Sequence, residues 1–100
     1  MSIDQIETEM KAKAANFAGL GAKVRFDFGD QGSLFLDAKS GMPKVSRDAG
    51  EADTTLKISL DDFVKLSRGD LNPTWAFTTG KLKVQGNMGV ALKLAGMMED

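Results

Sequence analysis

NPTWAFTTGKLKVQGNMGVALKL, residues 72–94, holds the chain's only tryptophan, one of its two prolines and three of its eleven glycines. Asn72-Pro73 reads as a helix cap followed by proline at the first helical position, where the missing N–H has no partner to lose. The short helix it opens carries Trp75, Ala76 and Phe77 and ends near Gly80. Lys81 to Gln85 then alternates, with Leu82 and Val84 on one face and three polar residues on the other, the period of a strand. Asn87 caps a last helix that holds Met88, Val90, Ala91, Leu92, Leu94, Ala95, Met97 and Met98. The segment is therefore helix, strand, helix, with glycines at the joints.

Those glycines raise the question of a phosphate loop. A P-loop needs G-x-x-x-x-G-K-[ST], because backbone amides and the lysine together hold the phosphates. Gly80-Lys81 lacks the following Ser or Thr and the earlier glycine. Gly86-x-x-Gly89 follows a strand and opens a helix, but a dinucleotide fingerprint needs a further glycine and a βαβ unit. The glycines are read instead as caps and close packing contacts.

Upstream, Ser2-x-x-Gln5 is a capping box, and Ile3, Ile6, Met10, Ala14 and Phe17 form one apolar stripe at helical spacing, ended by Gly19 and Gly21. Lys23 to Phe28 reads as a strand, with Val24, Phe26 and Phe28 facing one way and Arg25 and Asp27 the other. Gly29 to Gly32 is a turn of hairpin length. Ser33 to Lys39 is the return strand, with Leu34, Leu36 and Ala38 on one face and Phe35 and Asp37 on the other. Pro43 to Asp48 is a weak third strand suited to a sheet edge. Thr54 to Leu60 turns Leu56, Ile58 and Leu60 inward, and Asp61 or Ser59 then caps a short helix containing Phe63, Val64 and Leu66. No strand–long helix–strand repeat appears, so an antiparallel sheet with helices on one face is expected.

Composition narrows the chemistry. One hundred residues suit one domain, 1–100, able to bury roughly two-thirds of its unfolded surface. Hydrophobic residues are 42% and charged residues 27%, as in a soluble globular protein. The net charge of -1 offers little of the basic field that nucleic-acid binding needs. The chain contains no histidine, cysteine or tyrosine. That excludes Cys/His metal sites, cysteine nucleophiles and a Ser-His-Asp triad, so catalysis is not expected. Asp61-Asp62 are helix-capping residues rather than a catalytic pair. No secretory signal and no membrane span are read, which points to a soluble cytoplasmic protein. Lys81 and Lys83 share a solvated strand face. The last helix has Lys93 as the one charge between Met88 and Met98, so it is sandwiched, pairs with another chain or covers a cavity.

From Asp53 onward the chain resembles the sterol carrier protein type 2 family. The residues that carry the likeness are Ala52 to Ile58, Phe63-x-x-Leu66-x-x-Gly69, and Leu71-Asn72-Pro73-x-x-Ala76-Phe77-x-x-Gly80-Lys81-Leu82-Lys83-Val84-x-Gly86-Asn87-Met88-Gly89-x-Ala91-x-Lys93-Leu94. The hairpin from Val24 to Asp37 matches more loosely, and the first helix by position only. The resemblance implies an α+β domain: a five-stranded, mostly antiparallel sheet with helices packed on one face, enclosing an apolar cavity. It implies non-catalytic carriage of fatty acid, fatty acyl-CoA or sterol, without a cofactor or metal. Carried over position by position, the ligand-binding residues are Phe26, Leu36, Phe63, Leu66, Trp75, Phe77, Leu82, Val84, Met88 and Leu92. Arg25, Lys83 and Lys93 are the candidates for a headgroup. Members in peroxisomes often end in a Ser-Lys-Leu-like signal, whereas this chain ends Met97-Met98-Glu99-Asp100. A stand-alone bacterial carrier is therefore expected, with the lipid as partner, transient contact with a membrane surface, and a monomer or weak homodimer. The alternative is a dimerisation or docking module of the same fold with a filled core, partner to a lipid-handling enzyme.

Overall fold

The computed structural model describes residues 2–39, 41–47 and 50–98. Helix α1, Ile3–Ala12, starts at the capping box: the Gln5 amide donates to the Ser2 hydroxyl at 3.3 Å and the Ser2 amide to Gln5 Oε1 at 2.8 Å. Two of the orphan amides of the first turn are thereby satisfied. The apolar stripe does not continue as one α-helix. Ala14–Phe17 form a 3-10 helix instead, and the three-residue spacing of Ala14 and Phe17 matches that tighter period.

Five strands follow: β1 Lys23–Asp27, β2 Ser33–Asp37, β3 Lys44–Ser46, β4 Thr54–Ile58 and β5 Leu82–Gly86. Their order across the sheet is β3-β2-β1-β4-β5. The pairs β1–β2, β2–β3 and β4–β5 are antiparallel, and the central pair β1–β4 is parallel. β3 lies at the edge, as its proline and sparse apolar content required; Asp48, at the end of the expected strand, falls outside the described residues. The expected hairpin turn is a 3-10 turn, Gly29–Gln31, closed by the Phe28 amide donating to the Gly32 carbonyl at 2.9 Å.

Three helices come from the second half: α2 Leu60–Ser67, α3 Pro73–Thr78 and α4 Met88–Met98. The strand expected to reach Leu60 ends at Ile58, because the Ser59 hydroxyl accepts from the Asp62 amide at 3.1 Å and starts the helix one residue later. Ser59, not Asp61, is the cap. Asn72 accepts from the amides of Thr74 and Trp75, at 2.8 and 3.2 Å, and Asn87 from that of Val90 at 3.1 Å. Among the described residues, no helix is long and apolar enough to cross a membrane.

Strand alternation and register build the inner face. Leu34, Phe26, Leu56 and Val84 stand side by side across four strands, with Ile58 opposite Leu82 beyond them. The helices cover this face. α1 is tied to the end of β3 by Arg47, whose Nε lies 2.8 Å from Glu7 Oε1. The Lys11 ammonium, 3.0 Å away, and then the Arg47 guanidinium hold the Glu7 carboxyl below its usual range. On the outer face Phe35 is buried rather than solvated: the Arg25 guanidinium lies 6.0 Å from its ring centroid and donates to the Gly50 carbonyl.

β5 and α4 meet at Gly86. Its φ is +103°, and a Cβ there would lie 2.6 Å from the Asp53 carbonyl oxygen. The same carbonyl accepts from the Asn87 amide at 2.9 Å, so the close approach fixes the start of α4. Gly86→Ala should destabilise the protein by about 2 kcal/mol or more, through both backbone strain and the clash. Urea unfolding would show it; an unchanged midpoint would contradict this reading of the joint.

Candidate functional site

The site is built where α2 folds back over the sheet. Only Ser59 separates β4 from α2, so Phe63 and Leu66, one turn apart, face the centre of the sheet. Phe63 meets the rings of Phe26 and Phe28 edge-on, each at a centroid distance of 5.3 Å. Beside this cluster, towards β5, an apolar pocket of about 100 Å³ remains. The sheet supplies Phe26, Leu56, Ile58, Leu82 and Val84; α2 supplies Phe63 and Leu66; α3 supplies Pro73, Thr74 and Phe77. Met88, Ala91, Leu92, Leu94, Ala95 and Met98 come from α4. None of the lining residues is charged. Among the described residues no buried side-chain polar atom lacks a partner, and no cluster of metal-binding side chains is found.

Eight of the ten residues expected to meet a ligand line this pocket: Phe26, Phe63, Leu66, Phe77, Leu82, Val84, Met88 and Leu92. Leu36 does not. It is fully buried on β2, one strand beyond Phe26 and away from the pocket. Trp75 does not either; α3 buries Ala76, sets the half-exposed Phe77 at the pocket rim and leaves Trp75 60% exposed. The cations sit elsewhere as well. Arg25 lies between Val24 and Phe26 on β1, and Lys83 between Leu82 and Val84 on β5, so strand alternation turns both to the outer face. Lys93 sits on α4, where its ammonium donates to the Gly19 carbonyl at 2.8 Å.

Sequence reasoning missed the alanines. Ala91 and Ala95 are four apart on α4 and border the pocket, where short side chains leave space that leucine would fill. A small residue recurring at helical spacing inside an otherwise bulky apolar helix was the available signal.

A second pocket, of about 170 Å³, lies beneath α1. Ile6, Met10, Phe17, Ser67 and Met97 line it, with Glu9, Lys13 and Asn16 at its polar margin. Phe63 and Met98 border both pockets, so these two side chains are the partition between them.

The profile of the SCP-2 sterol transfer family matches residues 3–99. The chain belongs to the SCP-2 sterol transfer family. Hydroxysteroid dehydrogenase-like protein 2 of Bos taurus is 46% identical over 71 residues, which are 69% of this chain and 17% of that protein. The chain thus spans a minor part of such relatives. Among solved structures, the sterol carrier protein domain 2 of Helicoverpa armigera is 32% identical with a TM-score of 0.75, over 94% of this chain and 83% of that one. Palmitated SCP2L2 from Aedes aegypti shares the fold, with a TM-score of 0.73 at 22% identity, over 100% of this chain and 96% of that one.

If Phe63 is the partition, truncating it joins the two pockets. Phe63→Ala should cost about 3–5 kcal/mol, the transfer term plus the cavity. Chemical denaturation measures this, and a loss under about 1 kcal/mol would mean that the ring is not packed as described.

Proposed function

We propose that this SCP-2 chain binds and carries a flexible apolar lipid, a fatty acid or fatty acyl group before a sterol, without changing it chemically. The observation that supports this most is the pocket between the sheet and α2, α3 and α4, whose lining holds no charge and whose rim includes the exposed Phe77, Met88 and Leu92. Burial of apolar area at roughly 25 cal/mol per Å² supplies affinity here without polar contacts. Among the described residues no titratable side chain borders the space, which supports binding over acid–base chemistry there.

Size bears on the ligand. At about 100 Å³ the pocket is smaller than an apolar cavity of about 150 Å³ that takes up benzene. A long chain must therefore widen it. Methionines on α4 are unbranched and yield readily, and turning Met98 and Phe63 would open the second pocket. A linear chain can follow such a path in steps, whereas fused rings need the whole width at once. The fold is shared with a palmitated protein, which is in keeping with this. Of the three cations expected to meet a headgroup, Arg25 and Lys83 stand on strands whose opposite face lines the pocket, and Lys93 on α4 would exchange its Gly19 bond for that contact.

A second reading makes the chain a dimerisation or docking module that serves a lipid-handling enzyme. It is favoured by the matched stretch being part of a longer protein named hydroxysteroid dehydrogenase-like.

Native mass spectrometry of purified protein and displacement of a fluorescent fatty acid test the first reading. Bound lipid and saturable displacement are expected. Ala95→Phe should lower affinity about tenfold or more while circular dichroism stays unchanged, since losing ~60 Å² of buried apolar area is worth that much. No co-purified lipid together with no displacement would overturn the reading.

A further inference from the structure

Methionine is gathered around the two pockets. The chain has six methionines, and four of them border these spaces. Met88 and Met98 border the pocket between the sheet and α4; Met10, Met97 and again Met98 border the one beneath α1. The four are not equally open to solvent. Met10 is 6% exposed, and Met97 and Met98 are partly buried. Met88, the first residue of α4, is 42% exposed. Met42 is 70% exposed but borders neither pocket. The chain has no cysteine, so peroxide attack meets no thiol and falls to the thioethers.

We propose that Met88 is a sulfoxidation site, and that its oxidation by a peroxide lowers the affinity of the pocket for lipid. This rests on the lipid-carrier reading and adds a control on it. The Met88 sulfur gives an electron pair to one oxygen of hydrogen peroxide. An S=O bond forms, the O–O bond breaks, and the other oxygen leaves as water with both protons. Sulfur is oxidised by two electrons and the peroxide reduced by two. The product is a polar, chiral side chain where an unbranched apolar one stood. Of the pocket's lining side chains, Thr74 alone carries a hydrogen-bond donor. An acyl chain passing Met88 would strip water from the S=O oxygen with little to replace it. The lost apolar adaptability of the thioether acts in the same direction.

Peptide mapping by mass spectrometry during treatment with dilute hydrogen peroxide tests the site. Met88 should gain one oxygen well before Met10, Met97 and Met98. Met88 oxidised no faster than Met10 would overturn the proposal. Displacement of a fluorescent fatty acid tests the consequence. Oxidation at Met88 should weaken binding about tenfold, as expected when a polar group is covered without a partner, with circular dichroism unchanged. Sulfoxide reductases of both stereospecificities, with a dithiol as reductant, should restore it. Met88→Leu, compared with itself before and after peroxide, should show no change in affinity. Met42→Leu should keep the full response, since Met42 borders neither pocket. Full oxidation of Met88 with unchanged affinity, or an equal loss in Met88→Leu, would overturn the proposal. Absence of any displacement before peroxide would overturn the carrier reading and this control with it, while the peptide map would still decide whether Met88 is the reactive sulfur.

Discussion

The contact of Phe63 with Phe26 and Phe28 sets the spacing of the whole molecule. The two rings stand on and just after the central strand, and Phe63 meets each at 5.3 Å. The link between β4 and α2 is a single residue, so α2 has no freedom to settle elsewhere. Phe63 props α2 above the sheet at ring thickness, and α4 closes the remaining side with Ala91 and Leu94 buried beneath it. Where a tall ring stands next to short alanines, packing leaves a gap. The pocket is the consequence of that mismatch in side-chain height on one apolar face.

That gap also explains the division of the interior. Phe63 and Met98 form the wall between two spaces, one apolar but for Thr74 and one with a polar margin of Glu9, Lys13 and Asn16. An amphiphilic ligand whose tail lay in the first would find solvated groups only by passing this wall or by leaving through the rim at α3 and α4. The aromatic ring is held by two others, while the methionine is held by none of them. Opening therefore falls to Met98 and the end of α4 before it falls to Phe63.

Much of this was legible in the chain. Period-two alternation located the strands and their inner faces, and Ser2, Asn72 and Asn87 marked helix starts that the structure keeps. The parallel pairing of β1 with β4 was not legible, because partners 30 residues apart, such as Val24 and Thr54, leave no local signal. The change of Leu60 from strand to helix turned on which of the two caps that flank it forms, Ser59 or Asp61, a choice of about 1 kcal/mol. Trp75, Ala76 and Phe77 are consecutive on a six-residue helix, so their directions fan out and only packing decides which point inward. Leu36 shows the same limit on a strand: alternation gives the face but not the lateral position relative to the gap. Arg25 and Lys83 are different. Alternation already placed both on the outer face, and the headgroup expectation ran against it.

The central claim is that an acyl chain lies between the sheet and the helices. Intermolecular NOEs from a fatty acid with its chain protonated, bound to protein carrying labelled methyl groups, test it most directly. The account predicts contacts to Leu66, Leu82, Val84 and Leu92, which surround the pocket. Contacts confined to the outer face of the sheet around Phe35, or none at all under saturating ligand, would contradict it.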